Sequence, residues 1–290
     1  MKLVTYDDGK VGVLRDEDIA QIHDARIRTM RDLFALGDEG MEIARRAYED
    51  ERTMTPLERV KLRAPIVPKK FFHTAGNFRE HEEESKNVDA IVGHDEPVIY
   101  PEHLTEELDY ELELAVVLKK DGKWFSAEEA MDYVGGYVIF NDITARDIQR
   151  GEMKSGVFSF CKAIDTFCPL GPWIVTPDEI VDPHDLAMQL RVNGEVRQES
   201  HSSRMSVTIP EILSNFSGLT YSAGDVLSTG TVSGVAGFKS PEERARLYLK
   251  PGDVMEAEIE GIGVLRNPVV SWLDAHGTPP PPRVRPWGDA

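Results

Sequence analysis

The run Leu108-Asp109-Tyr110-Glu111-Leu112-Glu113-Leu114-Ala115-Val116-Val117-Leu118 constrains this chain more than any other stretch. It alternates and is rich in β-formers, so it predicts a strand. Residues i and i+2 of a strand share a face. Glu111 and Glu113 therefore point one way, and Leu112 and Leu114 the other. Two neighbouring carboxylates repel unless water or a cation lies between them. A second apolar run, Tyr137 to Phe140, ends in Asn141-Asp142 and brings a third carboxylate to a strand end. Three carboxylates with open positions suit a hard divalent ion, Mg²⁺ or Mn²⁺. The same E-x-E spacing also occurs on solvent-facing edges, so spacing alone leaves both readings open.

The charge balance narrows the partners. With 33 basic against 51 acidic residues the net charge is -18. This argues against nucleic acid, which is bound by neutralising phosphates with Lys and Arg, and against an anionic membrane surface. Hydrophobic content of 41% supports a proper core. Cys161 and Cys168 make neither a disulfide framework nor a zinc cluster, which fits a reduced, cytoplasmic setting. Met1 to Tyr6 runs straight into Asp7-Asp8-Gly9, so no signal segment is expected. No apolar run approaches the ~20 residues that span a bilayer.

Three segments are expected: a small α+β N-terminal domain over 1–65, a β-rich catalytic domain over 66–272, and a proline-rich tail over 273–290. Strands at 2–6 and 10–14 flank an Asp8-Gly9 turn, and short helices follow near 29–36 and 41–48. Asn77 with Glu80 reads as a capping box opening a helix from Phe78, which carries His81 and Glu84 on one face. Ser126 with Glu129 is a second box, and Thr208, Pro210 and Glu211 open another helix. A short helix follows Asp142, and Asn193-Gly194 marks a two-residue hairpin. Gly224-Asp225-Val226 and Gly252-Asp253-Val254 are turns leading into strands.

Taken in order, these residues resemble the fumarylacetoacetate hydrolase superfamily. The resemblance rests on Asp109 to Val117, on Asn141-Asp142-Ile143-Thr144-Ala145-Arg146-Asp147, and on Lys162 followed by Asp165 to Pro172. Gly224-Asp225-Val226, Thr229-Gly230-Thr231 and Gly261-Ile262-Gly263 complete it, over roughly 70–270. It implies a β-rich α+β fold, a mixed β-sandwich roll, usually as a homodimer. It implies Mg²⁺ or Mn²⁺, with Ca²⁺ possible in crystals, on Glu111, Glu113 and Asp142. Lys162 is the implied second positive group, and His81 with Glu84 resembles the family's H-x-x-E dyad, set after Gly76-Asn77-Phe78. On this reading Arg146 braces the carboxylates or binds substrate, with Gln149 one turn away, and Thr231 meets a substrate carboxylate. The stretch from Ser85 to Gly93 is shorter than the family's usual segment before the Asp-Tyr-Glu motif.

The substrates implied are 2-oxo and β-diketo acids. A metal acting on the carbonyl stabilises an enolate that develops there. The leading expectation is a hydrolase of C–C bonds in acylpyruvates or fumarylpyruvate, with the dyad activating water. The alternative is a decarboxylase or isomerase of a 2-oxo diacid, oxaloacetate-like or of homoprotocatechuate-pathway type. A third reading, from another class, is a non-catalytic scaffold in which the carboxylates bind an ion only for stability.

Overall fold

The computed structural model describes residues 1–50, 54–75, 82–85, 87–156 and 159–283. The strand Leu112–Leu118 is buried along its whole length. Val134–Asn141 and Val226–Thr231 pair with it antiparallel on either side. Burial on both faces explains why its outer half, Leu114 to Leu118, is apolar without interruption. Its even-numbered side chains, Leu112, Leu114, Val116 and Leu118, pack with Met188, Leu190, Met255, Ala257 and Leu265. Ala115 and Val117 face the other way, against Val138, Phe140, Phe71, Met30, Leu33 and Phe34.

One sheet carries the site. Its order is Met54–Pro56, Asp18–Gln21, Lys10–Arg15, Lys2–Tyr6, Cys168–Val175, Val134–Asn141, Leu112–Leu118, Val226–Thr231, Phe71–Ala75 and Glu82–Ser85. Backbone pairing of Lys2 and Leu3 with Val175 and Ile174 carries this sheet across the expected boundary near residue 65. A five-stranded sheet, Glu195–His201, Ala187–Val192, Val254–Ile259, Gly263–Ser271 and Val98–Tyr100, supplies the opposing layer. Parallel pairs, such as Phe71–Ala75 with Val226–Thr231, sit among antiparallel ones. The result is the β-rich, mixed α+β sandwich that the sequence implies.

Local signals place most elements. Thr208 and Glu211 form a capping box on the helix Ile209–Asn215, and Ser126 with Glu129 on Ala127–Ala130. Asn193 and Gly194 hold φ of 53° and 79° between paired strands, the double positive-φ turn that suits the strand twist. A short helix not foreseen, Trp272–His276, stands at the start of the tail, N-capped by Ser271.

One expectation is corrected. Glu82–Ser85 is not the second turn of a helix but a strand antiparallel to Phe71–Ala75, with Glu84 opposite His73. As a helix the run would stack Glu80, Glu83 and Glu84 on one face, where like charges repel. The open edge of Phe71–Ala75 offers unpaired backbone groups instead. His81 lies outside the described residues.

Candidate metal and active site

The site forms where the central strand is interrupted. Ladder pairing stops at Asp109 and resumes at Leu112. The Glu111 amide donates to the Asn141 side chain (3.0 Å), and the Asp142 amide donates to the Glu111 carbonyl (2.8 Å). The break lets the Glu111 carboxylate converge with Glu113 and Asp142. Potential ligand atoms of these three and of His73 all lie within 4.8 Å of one another, and all four residues are buried.

Two cations stand beside the carboxylates. The Lys162 ammonium lies 2.8 Å from Glu111 Oε2, 2.5 Å from Asp142 Oδ2 and 2.9 Å from Thr144 Oγ1. The turn Phe160–Lys162 is held from below, because the Glu152 carboxylate accepts from the amides of Phe160 (2.8 Å) and Cys161 (2.9 Å). Arg146 donates from Nε to Asp109 (2.7 Å), from Nη2 to Glu111 (2.5 Å) and from Nη1 to Gln149 (2.9 Å). Asp109 also accepts from the amides of Ala236 (3.0 Å) and Gly237 (2.8 Å). A Cβ at Gly237 would lie 2.8 Å from Arg146 Nε, so this turn approaches the guanidinium only as glycine.

Burial would by itself lower the Lys162 pKa, but Asp142 and Glu111 more than offset it and hold it above its ordinary value. Arg146 is likewise held up by Glu111 and Asp109 against burial. Glu113 is the exception. Burial first, then the Asp142 and Glu111 charges, push its carboxyl well above the ordinary range. The Ser228 hydroxyl donates to its Oε2, while its Oε1 is buried with no hydrogen-bond partner among the described residues. A buried acceptor left without a donor is costly. A divalent cation would satisfy that oxygen and relieve the repulsion, so the donor set fits the metal that the sequence implies.

Glu111, Glu113, Asp142 and Lys162 thus stand together. Arg146 is buried and spends its donors on Asp109, Glu111 and Gln149, which makes it a brace for a ligand carboxylate rather than an open substrate clamp. Gln149 reaches the site only as an acceptor for Arg146 among the contacts described. Thr231, paired in register with Glu113, accepts from Gln198 Nε2 (3.1 Å) and donates to the Leu112 carbonyl (3.2 Å). Glu84 is placed on its strand by backbone alone. Sequence reasoning missed His73, whose Nδ1 lies 3.3 Å from Glu113 Oε2 and Nε2 3.1 Å from Asp142 Oδ2. The only signal was a polar ring inside the β-forming run Phe71 to Ala75.

A β-rich roll with a buried three-carboxylate centre and a neighbouring lysine fits a divalent-metal site. The family profile described as Fumarylacetoacetate (FAA) hydrolase C-terminal matches residues 71–270, and the chain belongs to that family. It is 37% identical over 257 residues to the Bos taurus protein named oxaloacetate tautomerase FAHD2A, mitochondrial, covering 84% of this chain and 80% of that one. It is 41% identical over 234 residues to oxaloacetate tautomerase YisK of Bacillus subtilis strain 168, covering 74% of this chain and 75% of that one. Its fold is similar to the crystal structure of maleylpyruvate hydrolase from Sphingobium sp. SYK-6 in complex with manganese (II) ion and pyruvate. That likeness has a TM-score of 0.77 at 28% identity and covers 93% of this chain and 99% of the other. Relatives of this chain are thus both hydrolases and tautomerases. Among the described residues no helix is long and apolar enough to cross a membrane.

Proposed function

We propose that this protein is a divalent-metal-dependent isomerase of an oxaloacetate-like 2-oxo diacid, interconverting its keto and enol forms. The observation that carries the reading is the buried cluster of Glu111, Glu113 and Asp142 with Lys162 fixed against it. The likeness to oxaloacetate tautomerases across most of the chain supports this reaction. A divalent ion held by Glu111, Glu113 and Asp142 would supply Lewis-acid polarisation of a carbonyl. Lys162 keeps its proton and adds fixed positive charge where an enol oxygen gains negative charge. Arg146 holds Glu111 in place, so the carboxylates need no rearrangement when substrate arrives. The family resemblance assigns the half-buried Thr231 and Gln149 to the substrate carboxylates, Gln149 through its side-chain NH₂ and Thr231 by turning its hydroxyl from the Leu112 carbonyl. Keto–enol exchange moves one proton between carbon and oxygen and needs no water nucleophile. On the family resemblance the proton carrier is His81, oriented by Glu84.

C–C hydrolysis is the second reading, supported by the likeness to maleylpyruvate hydrolase. It requires, beyond a proton carrier, a water nucleophile activated by His81 and Glu84. The family resemblance also carries a homodimer, which sedimentation would check, and the sequence a cytoplasmic setting.

The test follows the enol absorbance of freshly dissolved enol-oxaloacetate, with Mg²⁺ or Mn²⁺ and with chelator, beside acetylpyruvate. Metal-dependent acceleration of enol loss with acetylpyruvate left intact is expected. Cleavage of acetylpyruvate with no effect on the enol would overturn the reading in favour of hydrolysis.

A further inference from the structure

The motifs that carry the family resemblance supply three carboxylates, yet a fourth donor faces them. His73 lies on Phe71–Ala75, which runs parallel to Val226–Thr231 with His73 opposite Ser228, the residue that bonds Glu113. The side chain is buried, and Phe140 flanks its ring edge-on with centroids 6.2 Å apart. Both ring nitrogens approach carboxylate oxygens, Nδ1 at 3.3 Å from Glu113 and Nε2 at 3.1 Å from Asp142. A neutral imidazole has one N–H and one lone pair. One nitrogen therefore meets a carboxylate oxygen lone pair to lone pair unless a proton on Glu113 or a cation lies between them, and a cation bound there would take that proton's place.

We propose that His73 supplies a ring nitrogen as a fourth protein ligand to the divalent ion held by Glu111, Glu113 and Asp142. The nitrogen biases the centre toward first-row transition ions such as Mn²⁺ over Mg²⁺ and Ca²⁺. All-oxygen sets suit Mg²⁺ and Ca²⁺, whereas an imidazole nitrogen adds affinity for first-row transition ions, of which Mn²⁺ gains the least. The inference rests on the metal reading of this site and is independent of which 2-oxo acid is turned over.

The test uses the full chain loaded with Mn²⁺ and reads nitrogen coupling by electron spin-echo envelope modulation. The expected spectrum shows directly bound histidine nitrogen, which changes when histidine is ¹⁵N-labelled. It persists in His81→Asn and disappears in His73→Asn. In His73→Asn the preference for Mn²⁺ over Mg²⁺, from competition calorimetry, falls ~10-fold or more. Bound Mn²⁺ without nitrogen coupling in the wild type would overturn the ligand assignment while leaving the metal site standing. Failure to bind Mn²⁺ at all would remove both. If His73→Asn does not fold, the labelled wild type and His81→Asn decide, because among the described residues His73 is the only histidine in the cluster.

Discussion

At the residue scale the centre is a balance between converging carboxylates and the groups that hold them. Glu113 has a folded pKa raised by burial and by Asp142 and Glu111. The metal-free folded state therefore keeps a proton that the unfolded chain has released above an ordinary carboxylate value of about 4.3. Its stability must fall as pH rises from there toward the raised folded value. Metal binding displaces that proton, so apparent affinity rises with pH across the same window. Calorimetry in two buffers of different ionisation enthalpy would show the proton release. Glu113→Gln stays neutral at every pH. It should lose metal-dependent turnover while its metal-free form melts no lower than wild type at pH 8, by scanning calorimetry. Arg146→Ala has a different consequence. It leaves Asp109 buried without its cation and Glu111 with Lys162 alone, and should cost about 3–5 kcal/mol in denaturant unfolding. Glu111, Glu113, Asp142 and Lys162 were legible because they fall in ordered motifs. The bracing role of Arg146 needed its contacts.

At the element scale, backbone elements aim the side chains. The turn Ala236–Phe238 gives two amides to Asp109 and passes close to Arg146. Gly237→Ala would place its Cβ against Arg146 and should destabilise the protein by ~1–3 kcal/mol, as overpacking does. It should also weaken Mn²⁺ binding, whereas a cost in stability with unchanged affinity would separate this turn from the site. Capping boxes and the Asn193-Gly194 turn were readable because their signals are local and unopposed. The Glu82–Ser85 strand was not readable from the capping signal at Asn77 and Glu80. A sheet edge distant in sequence decides its conformation, and local propensity yields to such tertiary pairing. His73 was hidden for the same reason: only the parallel pairing with Val226–Thr231 brings it to Glu113 and Asp142.

At the scale of the whole molecule, the candidate ion site joins elements far apart in the chain, from His73 to Asp142, with Lys162 beyond them. An ion at 100 times its dissociation constant stabilises the folded state by about 2.7 kcal/mol. Chelator should therefore lower the melting temperature by several degrees, and an unchanged melting curve would contradict a metal centre of useful affinity. The roll itself was legible through the ordered motifs, since composition and periodicity alone indicate only a β-rich core. The expected boundary near residue 65 rested on proline punctuation, which cannot reveal that Lys2–Tyr6 pairs with Cys168–Val175. The choice between reactions turns on product identity, and nuclear magnetic resonance in D₂O with Mn²⁺-loaded protein reads it most directly. Deuterium should enter C3 of oxaloacetate faster than in buffer. The carbon skeleton stays intact, acetylpyruvate is unchanged, and the acceleration is lost in Glu113→Gln. Acetate and pyruvate formed from acetylpyruvate, with oxaloacetate exchanging only at the buffer rate, would contradict the isomerase reading.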